Sequence, residues 1–487
     1  MKLRRNTSVK INAIMNAILT MSTFIFAIVT FPYASRVILP EGTGKVSFAK
    51  SVISYFTMFA QLGIPTYGIR ECAKARDNQK KLSTLVHELI TLNAITCSIS
   101  YLVFLALLVC VPKFSSEKAL FVTTSLSILL NFIGMEWLYQ ALELYTYITV
   151  RSVTFKAIAL ILMFALVRSK TDYIAYGAIL VFGTYAANII NFLNIPKLIH
   201  IDWHEQINIK QHVKFILIFF AMTCATIVYT NLDNVMLGFM KTDIDVGYYD
   251  AAIKVKSILV SIVTSLGVVL LPRSSYYFEQ GRKSEFISLT RKAMNFVILA
   301  AFPMTLYFLV YAKESIFFLS GSAYAGSIIP MKIIIPTVIF IGMSNITGMQ
   351  ILVPLGKEKI VLYSEIIGAV VDFIINLIAI PQFGASGAAF GTLIAELIVW
   401  LFQYTYIFRS VDKIYDSISW VKIIPSLIIP AIIVICLGKN IHGVLLKLLI
   451  TAIVYFGFYF ILLLILKEPL TMQISNQLVY KIKRRKG

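Results

Sequence analysis

A few ionisable side chains interrupt long apolar runs: Lys50, Asp233, Lys254, Lys256, Lys332, Glu365, Asp372 and Glu396, with Arg36 just beyond the first run. A charge in hydrocarbon costs at least ~2.5–3.5 kcal/mol even on the mildest insertion scales, so such residues are expected to pair or to face a wet, protein-lined cavity. Lys50 and Lys254 fall at corresponding places in the two halves of the chain. With Arg36 and Lys256 they are candidates to bind an anion such as a pyrophosphate, which a compact ammonium or a guanidinium fork holds well. The alternative for each of these two lysines is that its stem snorkels to the nearer interface. Asp233 is a candidate to carry a coupling ion or to pair with a cavity lysine.

Other signals carry less. Gly42-Thr43-Gly44-Lys45 has the look of a phosphate loop but lacks its spacing and a preceding strand, so a turn is expected there and ATP hydrolysis is not. Asp243-Ile244-Asp245 looks like the acidic pair of some glycosyltransferases, yet it falls on a short outer connection, away from cytoplasmic nucleotides. The histidines His87, His200, His204, His212 and His442 show no metal spacing. Cys72, Cys97, Cys110, Cys224 and Cys436 are scattered and read as packing residues. No catalytic residue, bound metal or organic cofactor is expected; the one small co-substrate would be a coupling ion, sodium or a proton.

The elements that must position these groups follow from composition. Of 487 residues, 58% are hydrophobic and 14% charged, more apolar side chain than soluble domains of this length bury. Apolar segments fall at about 11–33, 46–68, 86–111, 119–140, 152–167, 173–194, 213–239, 249–271, 293–312, 327–353, 360–380, 385–408, 421–438 and 443–466. Each is near the roughly 20 residues that a bilayer crossing requires. The expected class is therefore an all-α polytopic membrane protein of about fourteen transmembrane helices, with no room for a sizeable soluble domain. Lys2, Arg4, Arg5 and Lys10 ahead of the first run imitate a signal peptide, but that run is too long and lacks a clear cleavage site, so it is expected to be an uncleaved first span.

The net charge of +20 belongs to short segments between spans, which points to topology and anionic lipid and away from nucleic acid. With a cytoplasmic N-terminus, 30 of the 44 Lys and Arg fall on inner segments and 9 on outer ones. Both termini are then cytoplasmic, and the number of spans is even. A weak internal repeat accompanies this count. Phe132-Ile133-Gly134-Met135 recurs as Phe340-Ile341-Gly342-Met343, Gln140 as Gln350, and Gly44-x4-Ala49 as Gly247-x4-Ala252, at offsets of 208, 210 and 203. Two six-helix lobes are expected, 1–195 and 196–410, related by an axis along the membrane normal, with two C-terminal helices over 411–466. Residues 467–487 form a tail in which Leu470, Ile474, Leu478 and Ile482 recur every fourth position before Lys483-Arg484-Arg485-Lys486. That spacing predicts an amphipathic basic helix on the inner leaflet, or a solvated positive-inside stop.

Three segments, in order, resemble a known family. They are Phe31-Pro32-Tyr33-Ala34-Ser35-Arg36-Val37-Ile38-Leu39-Pro40-Glu41-Gly42-Thr43-Gly44, then Glu136-Trp137-Leu138-Tyr139-Gln140-Ala141-Leu142-Glu143 with Tyr147-Ile148-Thr149-Val150-Arg151, then Asp233-Asn234-Val235-Met236-Leu237-Gly238 with Val246-Gly247-Tyr248-Tyr249. The chain is identified through them as similar to the polysaccharide flippases of the multidrug/oligosaccharidyl-lipid/polysaccharide exporter superfamily, which handle O-antigen and capsule repeat units. The resemblance implies alternating access between two lobes, without covalent chemistry. It carries over Arg36, Gln140, Glu143, Arg151 and Asp233 as motif-matched positions; Gln140, Glu143 and Arg151 would lie at a cytoplasmic gate, or Glu143 and Arg151 would form a surface ion pair.

The resemblance implies a flippase moving undecaprenyl-pyrophosphate-linked oligosaccharide from the inner to the outer leaflet of a bacterial cytoplasmic membrane. Its partners would be that lipid-linked oligosaccharide, membrane lipid and other polysaccharide assembly proteins. A lipid II flippase is a near alternative. A drug or cation antiporter of the same superfamily is disfavoured by the cations Arg36, Lys50, Lys254 and Lys256. A repeat-unit polymerase or ligase is disfavoured by the short outer connections.

Overall fold

The computed structural model describes residues 9–199, 207–408, 415 and 418–486; Lys2, Arg4, Arg5, His200 and His204 lie outside the described residues. Among the described residues every regular element is helical. The chain divides into two compact units, Met1–Gly247 and Tyr248–Gly487. The first holds α1 (Val9–Gln61), α2 (Ile64–Ala75), α3 (Gln79–Cys110), α4 (Pro112–Ser115), α5 (Lys118–Gly134), α6 (Glu136–Ala141), α7 (Tyr145–Leu166), α8 (Tyr173–Val181), α9 (Ala187–Leu198) and α10 (Lys210–Met240). Helix α11 (Asp243–Glu279) starts in the first unit and continues into the second. The second unit adds α12 (Lys283–Val310), α13 (Ala312–Ser320), α14 (Ile328–Ile334), α15 (Thr337–Asn345), α16 (Glu358–Phe383), α17 (Ala385–Phe408), α18 (Trp420–Gly438), α19 (Val444–Ile465) and α20 (Pro469–Lys486).

Helix α1 is two spans joined at a break. With α2 it occupies a helical stretch of 65 residues, about 100 Å at 1.5 Å per residue, far longer than a hydrocarbon core of roughly 30 Å. The break falls at Leu39, φ 59° and ψ 179°. Pro40 follows it and disfavours the helical conformation for the residue before. Pro40 then opens the next helical turn, where its missing N–H is no loss, and Thr43 bonds back to the Leu39 and Pro40 carbonyls. The turn expected at Gly42–Lys45 is thus the first turn of a helix. Eleven further helices are long and apolar enough to cross a membrane, and one bent pair, Ser322–Ile334 and Thr337–Leu352 at 45°, makes another span. Among the described residues this gives twelve candidate membrane-crossing stretches, thirteen with the bent pair, the first of them long enough for two crossings, which is a multi-pass membrane architecture.

The repeat segments Pro40–Gly44 and Asp243–Gly247 pack on one another reciprocally. A methyl group on Gly44 would overlap the Asp243 carbonyl, and one on Gly247 would overlap the Pro40 carbonyl. Glycine is required at both because backbone meets backbone. Beside this seam Lys113 pairs with Asp243 at 2.8 Å and lies over the Phe48 ring. Phe48 packs against Phe114, Phe121 and Phe239, with Gly238 against its ring.

That contact fixes one end of α10. The other end is held by a buried chain of polar groups, in which Glu88 lies 2.7 Å from His212 Nε2 and Tyr67 Oη lies 2.7 Å from His212 Nδ1. The Asn208 N–H also donates to Glu88. The buried residues of α10 are His212 and Ile216 near its start and Asp233, Met236, Leu237 and Gly238 near its end. Between them α10 is half-buried or exposed, with Tyr55 donating to the Val228 carbonyl at 3.5 Å.

In the second unit the hairpin of α18 and α19 is fastened to α12 and α13 by tyrosine hydroxyls. Tyr307 donates to the Leu448 carbonyl, Tyr311 to Val434, and Tyr459 to Leu299, at 2.7, 2.6 and 3.0 Å. Lys447 adds an ion pair with Glu314 at 2.7 Å. In a solvent without water each hydroxyl needs such an acceptor.

The seam makes a direct prediction. Gly44→Val and Gly247→Val should each lower the thermal stability of the detergent-solubilised protein by about 1–3 kcal/mol, the usual cost of forced overpacking. Gly457→Ala, where a methyl group meets nothing within 4 Å, should leave the melting curve unchanged. Equal melting of all three would contradict backbone contact at the seam.

Candidate functional site

One polar site of the first unit is built around a broken span. Helix α5 stops at Gly134 because Met135 turns left-handed, φ 41°, and α6 then starts at Glu136. The break leaves α5 carbonyls for α9 to satisfy. Asn188 donates to the Leu130 carbonyl at 3.0 Å and Asn191 to the Gly134 carbonyl at 2.7 Å. Gly134 is so close to the Asn188 side chain that a methyl group there would overlap it. Arg151, only 6% exposed, donates to Asn188 Oδ1 at 3.0 Å and to Glu136 at 3.4 Å. It thereby orients the amide so that its NH2 faces α5. Tyr139 donates to the Asn191 carbonyl at 2.7 Å and stacks on Tyr147.

The motif-matched residues separate here. Gln140 and Arg151 share Glu136, Gln140 at 3.3 Å. Glu143 instead pairs with Arg76 at 2.6 Å, so Glu143 and Arg151 form no pair with each other. The Glu143 hydrogen bond, with its Coulomb attraction, raises the Arg76 guanidinium above its ordinary pKa.

Lys156, counted among inner-segment cations in the sequence, lies inside α7 and is buried. Its ammonium donates to the Ser22 and Thr23 hydroxyls at 3.0 and 2.7 Å. Helices α1 and α7 run side by side here, since Thr149 meets the Met15 carbonyl and Tyr33 the Val167 carbonyl at the same sequence offset of 134. The count of apolar residues conceals this lysine because it sits one turn into the span. Asn188 and Asn191, three residues apart within an apolar run, were the available signal for the α5–α9 contact.

The cations expected at an anion site are more accessible. Arg36 is exposed and donates to the Pro32 carbonyl, and Lys50 is exposed on the second half of α1. In the second unit Lys254 is half-exposed and lies 3.6 Å from Asp250, one turn back on α11; Lys256 is half-buried and Lys332 exposed. Asp233 is buried near the end of α10.

The second unit gathers oxygen donors where α16 and α17 pack. Asp372 and Asn376, one turn apart, are buried against Gly391, where a methyl group would come within 2.8 Å of Asp372 Oδ1 and overlap the Asn376 amide. Thr392 follows, bonded to the Tyr249 hydroxyl at 2.9 Å, and Glu396 is buried one turn on. Glu365 is half-buried on α16. Carboxylate, amide and hydroxyl oxygens are the donors hard cations take. Among the described residues no three of His, Cys, Asp and Glu come together as a metal site.

With every described regular element helical, many of them long and apolar enough to cross a membrane, and with buried charges in both units, the chain has a polytopic membrane architecture. Residues 9–278 match the family model described as polysaccharide biosynthesis protein, and the chain belongs to that family. It is 23% identical to an O-antigen transporter of Escherichia coli (strain K12), over 80% of this chain and 95% of that one. Over 39% of its length it is 23% identical to a low-salt glycan biosynthesis flippase of Haloferax volcanii, covering 41% of that protein. Its fold is that of the lipid II flippase MurJ in an inward closed conformation, with TM-score 0.67 and 18% identity over 92% of this chain and 99% of that chain. A MATE multidrug transporter of the MOP superfamily is also similar, with TM-score 0.56 and 11% identity over 82% and 100% of the two chains.

The polar site predicts a graded response. Asn188→Leu strips Arg151 of its closest acceptor and the α5 carbonyl of a donor, and should cost about 1–3 kcal/mol of stability. Gln140→Ala, which removes a single half-exposed contact, should stay within about 0.5 kcal/mol of the wild type. Detergent melting curves check both; a neutral Asn188→Leu would mean that the broken span does not depend on the amide.

Proposed function

We propose that this protein is a flippase that carries undecaprenyl-pyrophosphate-linked oligosaccharide repeat units from the inner to the outer leaflet of a bacterial cytoplasmic membrane, with both termini in the cytoplasm. The observation that carries this reading is the alignment with an O-antigen transporter along 95% of its length. Family membership supports it as well. No covalent bond changes in such a reaction: the substrate exchanges one leaflet for the other, and the protein supplies a path for the glycan and diphosphate. Arg36 and Lys50 in the first unit, and Lys254 and Lys256 in the second, are the candidate cations for the diphosphate by their charge. Other polysaccharide assembly proteins would supply and consume the substrate.

Alternating access needs a bias, because a ligand shifts a conformational equilibrium only by binding one state better. A sodium ion or a proton supplies it in this account. Asp233 is one candidate carrier, and the Asp372, Asn376, Thr392 and Glu396 oxygens fit such a cation by their chemistry. Gln140, Glu143 and Arg151 would act near the cytoplasmic opening, Arg151 by holding the broken fourth span and Glu143 through Arg76.

Proteoliposomes holding a short-chain polyprenyl-diphosphate oligosaccharide test the proposal. Wild-type protein should make the inner-leaflet pool accessible to an impermeant glycan label. Lys50→Ala with Lys254→Ala should slow this at least tenfold, as expected for losing charge-assisted contacts of about 1.5–3 kcal/mol, with unchanged protein yield. Transport of lipid II alone would establish the lipid II alternative, and transport of organic cations without glycan lipid would establish the antiporter. Gly391→Ala, which pushes on Asp372 and Asn376, should abolish the stimulation by an imposed sodium or proton gradient; undiminished stimulation would exclude that cluster as the ion site.

A further inference from the structure

We propose that α20 is a membrane-surface helix whose partner is the anionic lipid of the inner leaflet. The structure fixes how this helix leaves the last span. Lys467 adopts the left-handed conformation, φ 53°, ending α19 with the Glu468 N–H returning to the Leu463 carbonyl. Lys422, at the start of α18, donates to the Lys467 carbonyl at 2.8 Å and ties the elbow to the neighbouring span. Glu468, 2% exposed, then caps the new helix, accepting from the Leu470 and Thr471 amides and the Thr471 hydroxyl at 3.1, 2.6 and 2.7 Å. Pro469 occupies the first helical position, where proline is preorganised.

Because only three residues separate Ile465 from Pro469, α20 begins at the membrane surface. Its 18 residues extend about 27 Å. Thr471 is buried against the protein, whereas Ile474 is 40% exposed. The sequence continues the Leu470 and Ile474 spacing at Leu478 and Ile482, adds Lys481, Lys483, Arg484, Arg485 and Lys486, and contains no acidic residue over 469–486. Apolar residues at every fourth position followed by a run of cations, starting where a span leaves the bilayer, match a surface carrying both acyl chains and negative headgroups. An acidic soluble partner would account for the cations but would leave the apolar spacing at the membrane boundary unexplained.

Hydrogen exchange of the full-length protein in nanodiscs tests this. The amides of 469–486 should exchange at least about tenfold more slowly in a phosphatidylcholine and phosphatidylglycerol mixture than in phosphatidylcholine alone, since each surface cation contributes roughly fivefold to binding anionic membrane. The combined variant K483Q, R484Q, R485Q and K486Q should lose that difference, and Ile474→Ser should reduce it while the rest of the protein exchanges as before. Raising the salt should weaken the protection. Identical exchange in the two lipids would overturn the proposal and leave a solvated positive-inside stop. Protection that appears only on adding a cytosolic protein fraction would overturn it in favour of a protein partner.

Discussion

Hydrocarbon offers no hydrogen bonds, and this one property of the solvent accounts for most of what is specific in the structure. At several span breaks and buried charges among the described residues, the chain supplies its own partner. The α5 break is covered by Asn188 and Asn191, with Arg151 orienting the first of them. The ammonium of Lys156 is solvated by two hydroxyls of a neighbouring helix. Tyrosine hydroxyls at 307, 311 and 459 find backbone carbonyls and fasten the C-terminal hairpin. Such contacts stabilise modestly but become expensive when half removed.

The same constraint shows in how α10 is held. Helix α10 is held at one end by the Glu88–His212–Tyr67 chain and at the other by the glycine seam and the Lys113–Asp243 pair, with its buried residues confined to those ends. Its other described residues are half-buried or exposed, with Tyr55 donating to the Val228 carbonyl at 3.5 Å.

Much of the fold was legible because the hydrophobic signal is long-range and repetitive. The apolar runs in the sequence fall on the twelve to thirteen candidate spans, the first two runs sharing the long stretch that begins with α1, and the family resemblance carried by the segments around Arg36, Glu136 and Asp233 agrees with the family match. Local geometry was less legible. The Gly42–Lys45 segment reads as a turn by composition, yet Pro40 opens a helix there and Gly44 is needed for contact with Asp243. Lys156 was hidden by its position near a span start, and Glu143 chose Arg76, 67 residues away, over Arg151. Pairings of that kind depend on which helices become neighbours, which residue spacing along one chain does not encode.

The central claim is that the protein moves a lipid-linked glycan across the bilayer. The most direct measurement is the leaflet distribution of polyprenyl-diphosphate oligosaccharide in cells with and without the protein, read by mass spectrometry and an impermeant glycan label. Translocation by this chain predicts that depletion accumulates complete repeat units inaccessible from outside, and that restoring the protein makes them accessible again. Accumulation of accessible repeat units on depletion would contradict it and place the protein at a later step of polysaccharide assembly.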